Sequence, residues 1–421
     1  MGGSVLKRLA GQPRAPLVGL AVVSVASLIT RVAWLGTPGQ AVVGDEINYV
    51  NVARTILRLP LPPGTPTFYT YQGGFDVNTV HPPLAKLLIA ASMRIFGDNP
   101  IGWRLPSLVF ASAALLALYW LVRSAGGSSW LALGATSVLA VDNLFIVYGR
   151  TATIEMFPLV FMLAGTALYL RRRPIAAGVV IGIGTLTKEV GVFPLLVLVV
   201  LEVLRLALPP STTGEPRSRN WMKPARALAV CSVVTVVTYL GLLGGLDAKF
   251  STFRNPVSHT EFMIGFHQKY VPHVAPPPRS GAGYILVQPS KPWQWLINEI
   301  PLPLYYYPAP LQDARIRFLG EMNPIIIGFA LVGFLWAVYT AGVRRDQISF
   351  LILAWSLGTF VPFLLVSTKV GYLYYIIVVL PGLCLAVARL LGSSIVPRPL
   401  LAICCMPVAY YAWYLYPFRL G

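Results

Sequence analysis

The sequence predicts an all-α polytopic membrane protein of about eleven transmembrane helices, on three observations. Of its 421 residues 56% are hydrophobic and 11% charged, against roughly 25% charged in an average soluble domain. The apolar residues run in stretches of about 20, the length a helix needs to cross a bilayer. The basic residues gather in tails and short loops between those stretches: Lys7, Arg8 and Arg14; Arg123; Arg171 to Arg173; Arg217, Arg219, Lys223 and Arg226; Arg344 and Arg345; Arg398. This positive-inside pattern accounts for a net charge of +18 without a nucleic-acid partner, because no basic stripe is interleaved with stacking aromatics on a soluble domain.

The first apolar run, 16–35, follows a basic tail. It is longer than a signal-peptide core and lacks an A-x-A cleavage site, so it is expected to be an uncleaved first helix. Further spans are expected over 102–122, 129–147, 151–170, 175–186, 190–208, 228–246, 323–341, 350–366, 371–391 and 400–416. The stretch 175–200 reads as two helices broken at Thr187-Lys188-Glu189 or as one long kinked helix. Two helices leave every basic loop on the inner side, with the N-terminus inside and the C-terminus outside. The four cysteines, Cys231, Cys384, Cys404 and Cys405, lie within apolar runs and show no metal-binding spacing.

Three segments interrupt the spans of a single membrane-embedded domain. Segment 37–99 is expected to be a catalytic first outer loop, 209–227 a polar inner linker, and 247–321 an outer lid rich in proline and aromatics that holds His259, His267 and His273. Within the first loop, 45–59 can form a helix with Ile47, Val50 and Leu57 on one face. Asp45 then stands at its N-terminus, where the helix dipole favours an ionised carboxylate. Leu84, Leu87, Leu88, Ala91 and Ile95 recur at helical spacing, with Lys86 and Arg94 off that stripe and Gly97 as terminator. Such a helix lies in the membrane interface.

Seven ionisable residues fall at outer ends of spans: Arg104, Asp142, Arg150, Glu155, Lys188, Glu189 and Lys369. A charge at the bilayer centre costs roughly 2.5–3.5 kcal/mol on insertion scales, so chains keep such groups where they face a cavity. Each could be a snorkelling or paired side chain, as Arg150 with Glu155 or Lys188 with Glu189. Their shared side with Asp45 instead describes a site for an anionic lipid headgroup such as a phosphate.

Several of these residues stand in motifs. Gly44-Asp45-Glu46, His81-Pro82-Pro83-Leu84-Ala85-Lys86 and Trp103-Arg104-Leu105-Pro106-Ser107 resemble the dolichyl-phosphate-mannose protein mannosyltransferase family, membrane-embedded glycosyltransferases of the C type. The likeness continues through Asp142-Asn143, Arg150 with Glu155, Thr187-Lys188, Ser290 to Trp295, Asn323-Pro324 and Tyr372 to Tyr375 with Pro381. The resemblance implies the GT-C architecture and an inverting transfer of a sugar, mannose above others, from a polyprenyl or dolichyl phosphate to an acceptor hydroxyl on the outer face.

By the same resemblance Asp45 is the general base and Glu46 orients the site or the acceptor. Arg104, Arg150 and Lys188 match positions near the donor phosphate; Lys369 is added for its place at an outer span end. His81, Lys86, Asp142, Glu155 and His267 are expected to shape the pocket. No cofactor or metal is expected, because Val80 stands where related aminoarabinose transferases carry a metal-binding carboxylate and no WWDYG signature or second acidic motif occurs. Protein Ser/Thr is the favoured acceptor, with a lipid or glycan acceptor or another sugar as alternatives. A transporter would show repeated halves, and none are present. The eukaryotic enzymes' lumenal β-trefoil is missing, which favours a prokaryotic plasma membrane with the active site outside. A dimer is plausible by analogy. In space, Asp45 is expected to face Arg104, Arg150 and Lys188 across one cavity.

Overall fold

The computed structural model describes residues 14–39, 41–62, 74–208, 221–269, 289–308, 314–366 and 371–418. Lys369, His273 and the linker 209–220 lie outside them.

Six helices are long and apolar enough to cross a membrane: α1 (Ala15–Val32), α4 (Pro100–Ser124), α9 (Pro194–Ala207) with the 3₁₀ turn before it, α10 (Met222–Phe250), α13 (Pro324–Val343) and α14 (Gln347–Val366). Five shorter apolar helices stand in the remaining predicted stretches: α5 (Ser129–Ala140), α7 (Met156–Leu170), α8 (Pro174–Thr187), α15 (Leu380–Leu391) and α16 (Arg398–Tyr414). The chain is a multi-pass membrane protein. Large apolar side chains such as Val18, Val237, Leu335 and Trp413 are exposed on its outer surface, where lipid takes the place of water. The α8 and α10 backbones approach closely because Gly178 and Gly182 face α10: a Cβ on Gly178 would stand 2.6 Å from the Cys231 carbonyl oxygen. This is small-residue packing of the GxxxG type.

Three predicted stretches are broken, each at an ionisable or tyrosine-rich point. The 175–200 region is two helices, α8 and α9, joined by an extended Lys188 and a 3₁₀ turn at Glu189–Val192. The predicted span 129–147 ends early. Val141 closes α5, and Asp142 caps the short α6 (Asn143–Tyr148), accepting a hydrogen bond from the Phe145 backbone N–H at 3.3 Å. The stretch from Gly371 begins with an extended Tyr372 and a 3₁₀ helix, Leu373–Val378, before α15. These breaks bring Lys188, Glu189 and the tyrosines to one end of the bundle.

At that end sit the two outer segments. The first carries α2 (Glu46–Leu57) and α3 (Leu84–Phe96). The second carries α11 (Pro256–Lys269), the one-turn α12 (Pro292–Trp295) and a β-hairpin, β1 (Leu302–Tyr307) against β2 (Ile316–Gly320), with Leu302 opposite Gly320 and Tyr307 opposite Ile316. The lid is therefore partly strand, and α10 extends to Phe250, beyond the predicted 246. The predicted linker also shortens, since α10 begins at Met222.

The α3 stripe is half-buried at Leu84, Leu87 and Leu88 and turns outward toward its C-terminal end. Ala91 and Ile95 are exposed, whereas Ala85, Lys86, Ile89, Ala90 and Met93 are buried. Lys86, expected off the apolar stripe, is buried. In a bilayer the most apolar face is free to meet lipid, and the protein-facing side can be small and polar.

Candidate active site

Asp45 is positioned by a turn that requires glycine before it. Gly44 has φ +52°, its N–H donates to the Leu304 carbonyl of β1 at 3.3 Å, and a Cβ there would come within 2.9 Å of Leu304 Cδ2. Asp45 occupies the N-cap of α2, yet its carboxylate makes no capping bond. The side chain instead lines a cavity of about 100 Å³ with Asn48, Tyr49, His81, His267, Tyr372 and Tyr374 among its walls. Burial pushes the Asp45 carboxyl up to about 6, with the Glu155 charge adding to the rise; the Tyr374 hydroxyl and Lys188 oppose it. Desolvation thus outweighs the dipole expected to hold it fully ionised.

Behind Tyr374 and Tyr375 lies Lys188. Its Nζ donates to Glu155 Oε1 at 3.0 Å and stands 5.5 and 5.1 Å from the two ring centroids. Glu155 therefore pairs with Lys188, where the sequence left Arg150 or Glu189 as candidates for these partnerships. Lys188 is the cation whose charge bears on Asp45.

The other predicted residues stand elsewhere. Glu46 is fully buried. Its two oxygens accept from Arg104 Nε at 2.8 Å and Nη2 at 2.9 Å, and from the Val43 and Ala152 backbone N–H groups at 2.8 Å each. Arg104 Nη1 also donates to the carbonyls of Leu35 at 2.9 Å and Thr37 at 3.1 Å. Glu46 orients the loop rather than presenting a free oxygen to an acceptor. Arg150 donates to the Ala33 carbonyl at 2.6 Å and lies 4.6 Å from the Phe418 ring centroid. None of the three cations expected to face Asp45 lines the cavity: Lys188 stands behind its tyrosine wall, from where its charge reaches Asp45, while Arg104 holds Glu46 and loop carbonyls and Arg150 holds backbone. Asp142 also lies outside the cavity wall; it accepts from the Asn323 N–H at 3.0 Å, while Asn143 donates to the Leu319 carbonyl of β2 at 2.7 Å.

The His81 loop is held from below. Lys86 forms a fully buried ion pair with Asp76 at 2.7 Å and donates to the carbonyls of Asn78 and His81, the latter at 2.8 Å. The lid docks on the same loop through two histidines of α11. His259 bridges Asp247 (2.8 Å) and the Thr79 carbonyl (2.8 Å), and His267 Nε2 lies 3.1 Å from the Val80 carbonyl. His81 turns its Nδ1 to Glu189 Oε2 at 3.0 Å, and His267 Nε2 lies 3.5 Å from Glu189 Oε1. Glu189 was visible in the sequence only as an ionisable residue at a span end; its partners are 108 residues away at His81 and at the lid. Tyr374 likewise stood in a recognised motif without a role.

The sequence profile of dolichyl-phosphate-mannose-protein mannosyltransferases matches residues 80–239. A polyprenol-phosphate-mannose–protein mannosyltransferase of Corynebacterium glutamicum is 32% identical over 163 residues, which are 36% of this chain and 29% of that enzyme. The enzyme of the same name from Mycolicibacterium smegmatis is 23% identical over 95% of this chain and 89% of its own length. Among solved structures, the protein O-mannosyltransferase complex of Saccharomyces cerevisiae bound to its sugar donor superimposes with a TM-score of 0.70 over 96% of this chain and 91% of that one, at 12% identity. The Archaeoglobus fulgidus oligosaccharyltransferase gives 0.58 over 97% and 57%, at 14% identity. These structures share the fold, which is the GT-C architecture.

Proposed function

We propose that the chain, similar to dolichyl-phosphate-mannose-protein mannosyltransferases over residues 80–239 and to bacterial enzymes of that kind, is a glycosyltransferase of that family and moves mannose from a polyprenyl phosphate to a Ser or Thr hydroxyl of a protein, on the extracytoplasmic side of a prokaryotic plasma membrane. The observation that carries the mechanism is the Asp45 carboxyl, raised to about 6 in a cavity with Lys188 behind its tyrosine wall. A base whose pKa lies just below working pH is ionised and still able to take a proton.

The acceptor hydroxyl hydrogen-bonds to Asp45. Its oxygen attacks the anomeric carbon as Asp45 removes the proton, and the bond to the phosphate oxygen breaks with its electron pair passing to the phosphate. Attack opposite the leaving group inverts the anomeric carbon. Lys188 offsets charge developing on the phosphate, while Glu46 and Arg104 hold Asp45 in register and His81, Lys86 and Glu155 keep the walls in place. The cavity, about 100 Å³, is smaller than the roughly 300 Å³ of a typical ligand pocket, so it marks the reacting centre and leaves the isoprenoid chain in the lipid.

The test is to supply purified protein with polyprenyl phosphate carrying radiolabelled mannose and a Ser/Thr-containing peptide. Label is expected to leave the lipid and appear on the peptide. Folded protein that releases nothing to the peptide would refute the reading.

A pH profile tests the base. Below about pH 6 Asp45 is protonated and cannot accept a proton, so kcat/KM should fall about tenfold per pH unit as pH drops through 6. Tyr374→Phe removes the hydrogen bond that favours the carboxylate, so this acid limb should move to higher pH. A limb near the ordinary carboxylate value of about 4, unmoved by Tyr374→Phe, would mean that another group sets it.

A further inference from the structure

A departing phosphate needs positive charge nearby; Lys188 supplies some from behind the tyrosine wall, but the described lining of this cavity itself holds no lysine or arginine. It does hold His81 and His267, which converge with Glu189 so that one ligand atom from each lies within 4.8 Å of the others. The geometry points to a divalent-cation site at His81, Glu189 and His267, of the zinc type, whose open coordination position takes a phosphate oxygen of the lipid donor. This inference rests on the proposed use of a polyprenyl phosphate, and it departs from the metal-independent reaction expected from the sequence.

Two imidazoles and one carboxylate are the His₂Glu donor set of catalytic zinc, which leaves a fourth position free. Zinc bonds of roughly 2.0–2.2 Å place tetrahedral ligand atoms about 3.4 Å apart. Glu189 already stands 3.0 Å from His81 Nδ1 and 3.5 Å from His267 Nε2. The two rings already stand 5.0 Å apart between centroids; the ligand atoms, all within 4.8 Å of one another, must draw in by up to about 1.4 Å, and His267 must give up its 3.1 Å contact with the Val80 carbonyl. The three side chains are half-buried, not sealed, so an ion has a path in.

Each ligand is anchored from outside the site. Lys86 holds the His81 carbonyl, the lid helix α11 carries His267, and Glu189 begins the 3₁₀ turn after α8. The lid and the first outer loop would thus be tied through the ion. A bound cation polarises a phosphoryl oxygen and neutralises charge as it develops there. Glu189 offers no carboxylate position next to His81 in sequence, which explains why a search for local acidic motifs passes it by.

The experiment uses full-length protein in detergent, stripped with EDTA and loaded with Co²⁺ as a visible probe, together with metal analysis after Zn²⁺ loading. Wild type should hold about one Zn²⁺, and its Co²⁺ form should show the intense bands of a four-coordinate site that shift on adding a short prenyl phosphate. His267→Gln and Glu189→Gln should each weaken Zn²⁺ binding at least about tenfold, the least that even an outer-shell change costs, with thermal unfolding confirming that both fold. Equal metal retention in wild type and both variants, or Co²⁺ bands indifferent to the prenyl phosphate, would overturn the site. Transfer of mannose in EDTA at the full rate would reject the metal while leaving the transferase reading intact; stoichiometric metal binding with no transfer would do the reverse.

Discussion

Asp45→Asn should cut mannose transfer by about 10²- to 10⁴-fold, the range that general-base removal produces, while leaving the fold unchanged. Asparagine keeps the size and the hydrogen bond to Asn48, which lies 3.5 Å from the carboxylate, but it cannot take a proton. Substitution also relieves the cost of a half-buried charge next to Glu155, so the variant should unfold at or above the wild-type temperature. Initial rates with labelled donor, paired with thermal unfolding in the same detergent, measure both. A variant with wild-type turnover would assign the base elsewhere; a variant that fails to fold would assign Asp45 to structure.

The second large effect belongs to Arg104. Its guanidinium and Glu46 form a bidentate pair with both side chains essentially inaccessible. Arg104→Met strands the Glu46 carboxylate with only backbone partners at Val43 and Ala152. Breaking a buried pair from one side costs about 3–5 kcal/mol, a large fraction of the roughly 5–15 kcal/mol of a folded protein. Glu46→Gln should lose less, since the amide oxygen still accepts. The double variant Glu46→Leu, Arg104→Met removes both charges and should be more stable than Arg104→Met alone. Urea or thermal unfolding of wild type, Glu46→Leu, Arg104→Met and the double variant completes the cycle. If Arg104→Met unfolds like wild type yet loses donor affinity, the arginine serves the phosphate directly and not the loop.

That contrast marks what was legible in the sequence. Span positions followed from apolar runs because hydrophobic length is a one-dimensional property, and the break at Lys188 showed because charge interrupts such a run. Asp45 and Lys188 stood out in the sequence as charges near span ends; Asp45 lines the cavity and Lys188 lies behind the Tyr374 and Tyr375 rings. Arg104 and Arg150 were also noticed, but their destinations depend on partners far along the chain, such as Thr30 and Ala33 at the end of the first helix, 120 and 117 residues from Arg150, and Tyr416, 266 residues from it. A cation at a span end looks the same in sequence whether it meets a ligand or a helix C-terminus.

The α3 helix shows the same limit. Periodicity finds an apolar stripe, yet in a membrane that stripe can face lipid, and Lys86 then turns inward to Asp76. The hairpin at β1 and β2 escaped because Tyr305 to Tyr307 carry no alternation of polar and apolar residues. The His81, Glu189 and His267 convergence comes from three separate segments, which no spacing rule joins.

The central claim is that Asp45 and Lys188 flank one reaction centre at the lipid-linked sugar. A structure with a non-cleavable polyprenyl phosphonate analogue of the mannosyl donor tests it most directly. The sugar should lie in the cavity lined by Asp45 and Tyr374, with Asp45 placed to take the proton of an oxygen about 3–3.5 Å from the anomeric carbon and the phosphonate on the Lys188 side. A phosphonate bound at Arg150, or a sugar with Asp45 on its leaving-group face, would contradict the account.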